Sequence, residues 1–248
     1  MCTASWLRGR DGYVLFFNRD EQRSRAIGRP PRALVRLGVR VLAPEDAKAG
    51  GSWIGVNEHG VTVGLLNGPQ AWRRHASPAP SPAGTISRGL LLASLLDAAS
   101  LRDVDARIAA TPLAPYLPFT VVAAEPSRPV TVWAWDDGLT HAHVERSGLI
   151  ATSSSVDGQS VRDSRARLFE RLAFAPDLVA LRDLHRSHLP TAGAHSVCMH
   201  RSDAETVSMS RIDVTPEWVA LEYTPGAPCH NASPGARRLA RVEAGATI

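Results

Sequence analysis

Met1-Cys2-Thr3-Ala4-Ser5-Trp6-Leu7 and Tyr13-Val14-Leu15-Phe16-Phe17-Asn18-Arg19-Asp20-Glu21 open the chain, separated by Arg8-Gly9-Arg10-Asp11-Gly12. Thr3–Leu7 and Tyr13–Phe17 read as strands, and Asp11-Gly12 marks a tight turn between them. The two strands form an N-terminal hairpin. Its second strand returns Asn18 to Glu21 to the neighbourhood of the second residue. A side chain at the start of a strand held in a sheet is rigidly placed. The hairpin therefore decides both the architecture of this end and what Cys2 can do.

Working outward, Asn18 to Pro31 is a polar stretch ending in Pro30-Pro31, which cannot be regular helix. Trp53–Val56 and Val61–Leu66 flank the turn Asn57-Glu58-His59-Gly60 and predict a second hairpin. Ile86–Ala98 is apolar on several faces and predicts a buried helix. Leu101–Ala110 predicts a shorter one. Phe119–Ala124, Val130–Trp135, Thr140–Val144 and Leu149–Thr152 read as strands. Arg162–Phe174 and Leu178–His185 read as helices. Ser196–His200, Glu205–Val214 and Trp218–Tyr223 read as closing strands. Hairpins dominate and no βαβ alternation emerges, so the class is α+β, with antiparallel sheets and helices packed outside them. Val121-Val122-Ala123-Ala124 predicts a strand covered on both faces. No linker divides the chain. Residues 1–232 are expected as one domain and 233–248 as a loose tail.

Composition excludes several classes. Of 248 residues 44% are hydrophobic and 21% charged, the balance of an ordinary globular chain. Three cysteines, Cys2, Cys198 and Cys229, with no CxxC, exclude a disulfide framework and a zinc site built mainly from cysteine. No apolar run approaches the roughly 20 residues of a membrane helix. No signal peptide is visible, and the cytoplasm is the expected compartment. The net charge is +4, but Lys48 is the single lysine among 28 basic residues and aromatics are only 6%. The arginines are spread along the chain, so nucleic acid is not an expected partner.

Cys2 is the most informative residue. Initiator Met is removed when the next residue is small, which would leave a chain beginning with cysteine. Thiol and free α-amine would then share one residue. The amine, with a pKa near 8, can act as base for its own thiol. Arg19 would lower the thiol pKa and bind developing charge; Asp20 or Glu21 would orient the ammonium. Read plainly, Asn18–Glu21 is a solvated turn. Asn67, at a strand end, has a side-chain amide suited to an oxyanion hole, although Asn67-Gly68-Pro69 is also a plain turn. Cys198-Met199-His200 offers rival chemistry. Alternation places Cys198 and His200 on one face, but core packing for Cys198 and Met199 and a strand-end place for His200 is the favoured reading. No metal site and no cofactor are therefore expected.

Met1-Cys2-Thr3, Asn18-Arg19-Asp20-Glu21, Gly50-Gly51-Ser52-Trp53-Ile54-Gly55-Val56 and Gly60 to Asn67 together resemble the NRDE family, also called the transport and Golgi organisation protein 2 family. The resemblance is strongest over residues 1–70. It implies the four-layer αββα sandwich of N-terminal nucleophile hydrolases, with two antiparallel sheets flanked by helices. Choloylglycine hydrolases and penicillin V acylases are a more distant likeness. By that likeness Cys2 is the nucleophile and Asn67 the oxyanion donor. Their Arg-Asn-x-Asp pattern maps onto Asn18 and Glu21, or with a one-residue shift onto Arg19. Catalytic roles are thereby expected at Cys2, Arg19, Asp20 and Asn67. Substrate contacts are expected at Asn18, Glu21, Ser154 and Arg201. Two functions stay open: hydrolysis of a small acyl amide or related acyl compound, and non-enzymatic binding of haem, lipid or acyl-CoA for trafficking, a role the family resemblance implies. Free strand edges would also allow a homo-oligomer.

Overall fold

The computed structural model describes residues 2–68, 84–152, 157–172 and 177–243. The chain opens with β1 (Cys2–Arg8), β2 (Tyr13–Gln22), β3 (Arg29–Arg36), β4 (Val39–Glu45), β5 (Ile54–Asn57) and β6 (Thr62–Asn67). Helices α1 (Arg88–Leu95) and α2 (Leu101–Ala110) follow. Next come β7 (Phe119–Ala124), β8 (Val130–Trp135), β9 (Leu139–Val144) and β10 (Gly148–Thr152). The chain continues through α3 (Gly158–Leu172), α4 (Leu178–Arg186), β11 (Ala204–Val214), β12 (Trp218–Pro225) and β13 (Ala236–Ala240). Among the described residues, six strands pair in the order β10-β1-β2-β11-β12-β13 and seven in the order β3-β4-β5-β6-β7-β8-β9. The pairings are antiparallel.

Strand alternation generates the layers. Ala4 and Trp6 of β1, Leu15 and Phe17 of β2, and Leu221 of β12 meet Ile54, Val56, Leu66 and Val122 in one cluster between the sheets. On the far side of the seven-stranded sheet, Val63, Val121 and Ala123 pack against Leu91, Leu92, Leu95, Val104 and Ile108 of α1 and α2. Behind the six-stranded sheet, Phe16 and Met209 pack against Phe169 of α3 and Leu181 and Leu184 of α4. This is the four-layer αββα sandwich. β7 is buried at every position because both its faces are covered, as its unbroken apolar run predicts. None of the described helices is long and apolar enough to cross a membrane.

Several elements differ from the sequence expectation. β2 runs on to Gln22, so Asn18 to Glu21 lie inside a strand and not in a solvated turn. Pro30-Pro31 belongs to β3, which tolerates proline because it is the edge strand and its register shifts between Arg29 and Arg32. Cys198 to His200 are not a ladder strand; His200 makes a single bridge to Glu205. Ala236–Ala240, expected within a loose tail, pairs with β12 from Trp218 to Glu222. The Arg238 guanidinium lies 4.6 Å from the Trp218 ring, which helps to hold this arginine-rich segment on the sheet.

Tyr13 ties the two sheets together. Its hydroxyl lies 2.9 Å from Gly60 O, 2.7 Å from Thr62 Oγ1 and 3.1 Å from Ala124 O, all on the opposite sheet or its turn. Tyr13→Phe leaves these buried groups short of a partner and is expected to cost about 1–3 kcal/mol. Urea unfolding of the two proteins checks this; equal midpoints would contradict it.

Candidate active site

The register of the first hairpin sets Cys2 opposite Arg19, and Cys2 also lies opposite Thr152 of β10. Cys2 and Arg19 face the gap between the sheets, at one end of it. From the facing sheet and its approach come Asp46, Ser52, Trp53, Leu65 and Asn67; from the start of α1 come Ser87, Arg88 and Gly89. With Asp20, Glu21 and Arg25 they line a cleft of about 150 Å³.

The glycines of the Gly50-Gly51-Ser52-Trp53 segment have a steric cause. Gly50 has φ +70°, a left-handed conformation that favours glycine. A Cβ on Gly51 would strike the backbone of Gly89, so the approach to β5 and the start of α1 touch chain to chain. Ser52 N donates to Gly89 O at 3.0 Å across that contact. Gly28 is needed in the same way, because a Cβ there would strike the Trp53 ring.

The cleft is dense in charge. The Arg19 guanidinium lies over the Trp53 ring at 4.1 Å. Its Nη2 is 3.4 Å from Asp46 and 3.6 Å from Glu21. Arg25 bridges the same carboxylates, at 2.7 Å from Asp46 and 3.4 Å from Glu21. Two cations and two carboxylates cancel. Arg88 adds a third cation. It donates to Pro118 O at 2.9 Å and has no carboxylate within ion-pair distance among the described residues. Burial lowers its pKa to about 10, which still leaves it charged at neutral pH. Burial pushes the Cys2 thiol up from its ordinary value, and the charges of Asp20 and Glu21 push it the same way. The backbone N–H of Asp20 opposes this by donating to the sulfur.

Behind the strand lies a second polar layer. The Asp20 carboxylate accepts from Arg165 Nη1 at 3.3 Å and from Thr206 Oγ1 at 2.7 Å, and Arg165 also bonds Thr3 Oγ1. Both ends of the Asp20–Arg165 pair are fully buried. Removing one partner of such a pair costs about 3–5 kcal/mol, because the other charge is stranded. Asn18 also points this way. Its amide donates to His185 O at 2.8 Å and Val197 O at 3.1 Å, and its Oδ1 lies 2.9 Å from His185 Nδ1. Asn18, expected to contact substrate, is instead fully buried against α4, since alternation sends it to the face opposite Arg19.

Of the residues expected from sequence, Cys2, Arg19, Asp20, Glu21 and Asn67 come together at the cleft. Arg201 does not line it and pairs with Asp203 at 2.7 Å. Ser154 lies outside the described residues. Arg25, Asp46, Arg88, Thr152 and Arg165 were missed. Two of them left a signal. Arg88 puts a cation in the first turn of a helix, against the macrodipole. Arg165 falls midway between Val161 and Phe169 on the apolar stripe of α3, where an arginine needs a buried partner.

The Transport and Golgi organisation 2 family model matches residues 1–161. The chain belongs to this family. No curated protein matches it by sequence. Solved structures similar to this family member include an acid amidase and a bile acid hydrolase. A Caenorhabditis elegans N-acylethanolamine-hydrolyzing acid amidase ortholog is 12% identical, with TM-score 0.60 over 86% of this chain and 92% of that one. A cysteine-to-alanine variant of conjugated bile acid hydrolase from Clostridium perfringens is 13% identical, with TM-score 0.58 over 97% of this chain and 92% of that one. At such identities the likeness establishes the fold, and this Transport and Golgi organisation 2 member shares it.

His185 gives a pH test of the layer behind the site. Burial, aided by the charge of Arg165, lowers its pKa from 6.5 to about 3. The unfolded chain therefore binds the proton first as pH falls. The stability tied to His185 is complete above about pH 6.5 and falls by up to about 1.4 kcal/mol per pH unit on the way down to its folded pKa. Urea unfolding between pH 7 and pH 4 should show a shallower decline for His185→Gln than for the parent. Parallel declines would contradict this.

Proposed function

We propose that the chain hydrolyses a small acyl amide or related acyl compound, with the Cys2 thiol as nucleophile once Met1 is removed. The observation that carries this reading is the cleft in which Cys2, Arg19, Asn67 and Arg88 converge. The freed α-amine takes the thiol proton, directly or through one water, as the sulfur attacks the carbonyl. The Asn67 amide, which makes no other hydrogen bond among the described residues, donates to the developing oxyanion. The protonated amine then gives its proton to the leaving group. Water cleaves the resulting thioester, again with the amine as base, and releases the acid.

Three neighbours support the amine's part. Asp20 and Glu21 bring negative charge to favour its ammonium form, as their effect on the thiol implies. Thr152 Oγ1 is buried without a partner among the described residues, directly across the ladder from Cys2, and is a further acceptor for it. Arg88 at the mouth of α1 favours a substrate with an anionic group near the scissile bond. At about 150 Å³ the cleft is smaller than the roughly 300–1,000 Å³ of drug-sized pockets. It suits the reacting end of a molecule, and enclosure of a whole haem or acyl-CoA does not fit it.

A panel of small acyl amides and thioesters, half of them carrying a carboxylate, tests the reading. Cys2→Ala should lose turnover by at least about 10³-fold. Asn67→Ala should lower kcat by about 10²–10³-fold. Turnover by Cys2→Ala equal to that of the parent would overturn it.

A further inference from the structure

Away from the cleft, the loop after α4, the segment before β11 and the turn after β12 bring together His188, Cys198, His200 and Cys229. One ligand atom of each lies within 4.8 Å of every other. Cys198 Sγ is 3.5 Å from His200 Nε2, which is 3.3 Å from Cys229 Sγ. A tetrahedral zinc ion, with Zn–S about 2.3 Å and Zn–N about 2.0–2.1 Å, would set such sulfur–nitrogen edges at about 3.6 Å. We propose that these four side chains form a closed, four-coordinate structural site for a zinc-class divalent cation.

Independent features support the assignment. Cys198 is fully buried and the other three are half-buried, so a bound ion would be shielded from water. The Nε2 atom of His188 is buried without a hydrogen-bond partner among the described residues, and a buried imidazole nitrogen normally has one. The segments are held independently of any ion: Cys198 N donates to Ser187 O at 3.0 Å, and Thr206 N donates to Met199 O at 2.9 Å. Two sulfurs and two imidazoles select a soft or borderline ion over magnesium or calcium. The charges also close. Binding displaces one proton from each thiol to solvent, and two thiolates neutralise a dication, with the histidines neutral. No oxidant or reductant is involved.

The site has a structural use. Met199 N donates to Thr206 Oγ1, and the same hydroxyl donates to Asp20. An ion held at Cys198 and His200 would brace this segment from behind, two hydrogen bonds away from the carboxylate next to the cleft. The CxxC and CxxC-like spacings that mark most cysteine-rich zinc sites are missing here, since the four ligands come from three separate segments. The expectation of no metal site followed from that linear spacing, and from reading Cys198 as core and His200 as a strand end.

The test uses the full-length chain, purified under reducing conditions from zinc-supplemented medium, with metal content by mass spectrometry. One zinc per chain is expected. It should persist in Cys2→Ala, which leaves the four ligands intact, and be lost in Cys229→Ser and in His188→Ala. After chelation, cobalt(II) added to the unsubstituted chain should give the strong visible bands of a tetrahedral site and a thiolate-to-cobalt charge-transfer band. The cobalt spectrum decides the matter even where a variant fails to fold. Absence of that spectrum would overturn the proposal. So would zinc content unchanged in both folded ligand variants, or a Cys198–Cys229 disulfide in the reduced preparation.

Discussion

Alternation along β2 is the constraint on which the site depends. The register that sets Arg19 opposite Cys2 gives that arginine to the cleft. The same two-residue period denies the cleft to Asn18 and carries the Asp20 carboxylate toward Arg165. A slip of one residue would exchange the two sets and bury an arginine under α4. The fully buried Asp20–Arg165 pair, with Thr3 and Thr206, specifies this register. A pair of this kind contributes little net stability compared with apolar replacements. Its contribution here is to single out one pairing of the strands.

The cleft and the layer behind it then divide their tasks. Arg19 and Arg25 share Glu21 and Asp46, which fixes four charged groups in place with no net charge. Arg88, at the positive end of α1, has no carboxylate within ion-pair distance among the described residues. Close contact between Gly51 and Gly89 brings that helix end against the approach to β5. A larger residue at either glycine would push Arg88 away from Cys2 without touching either side chain. Behind the sheet, Asn18, His185 and Ser5 form a neutral hydrogen-bonded set, with Ser5 Oγ 2.8 Å from His185 Nε2.

Much of this was legible in the sequence, and the rest was hidden for physical reasons. The hairpins, the buried helices and the doubly covered β7 follow from local periodicity and turn chemistry. Cys2 and Asn67 stand at strand ends, where position alone recommends them. The reading of Asn18–Glu21 as a turn failed because polar residues inside a strand are expected only where partners bury them. Those partners, Arg165 and His185, come from helices more than 140 residues away, as the separations in their hydrogen bonds show. β13 was hidden because its arginines look solvated, yet its backbone completes the sheet edge. The His188, Cys198, His200 and Cys229 cluster was hidden because its members are near one another only after folding.

The central claim is that Cys2 is an activated N-terminal nucleophile. Its most direct measurement is intact mass followed by peptide mapping, before and after reaction with a limiting amount of a thiol-directed acylating probe. The account predicts a chain that starts at Cys2 and takes up one label there, ahead of Cys198 and Cys229. A chain that retains Met1, or a label spread over Cys198 and Cys229 with Cys2 unreacted, would contradict it.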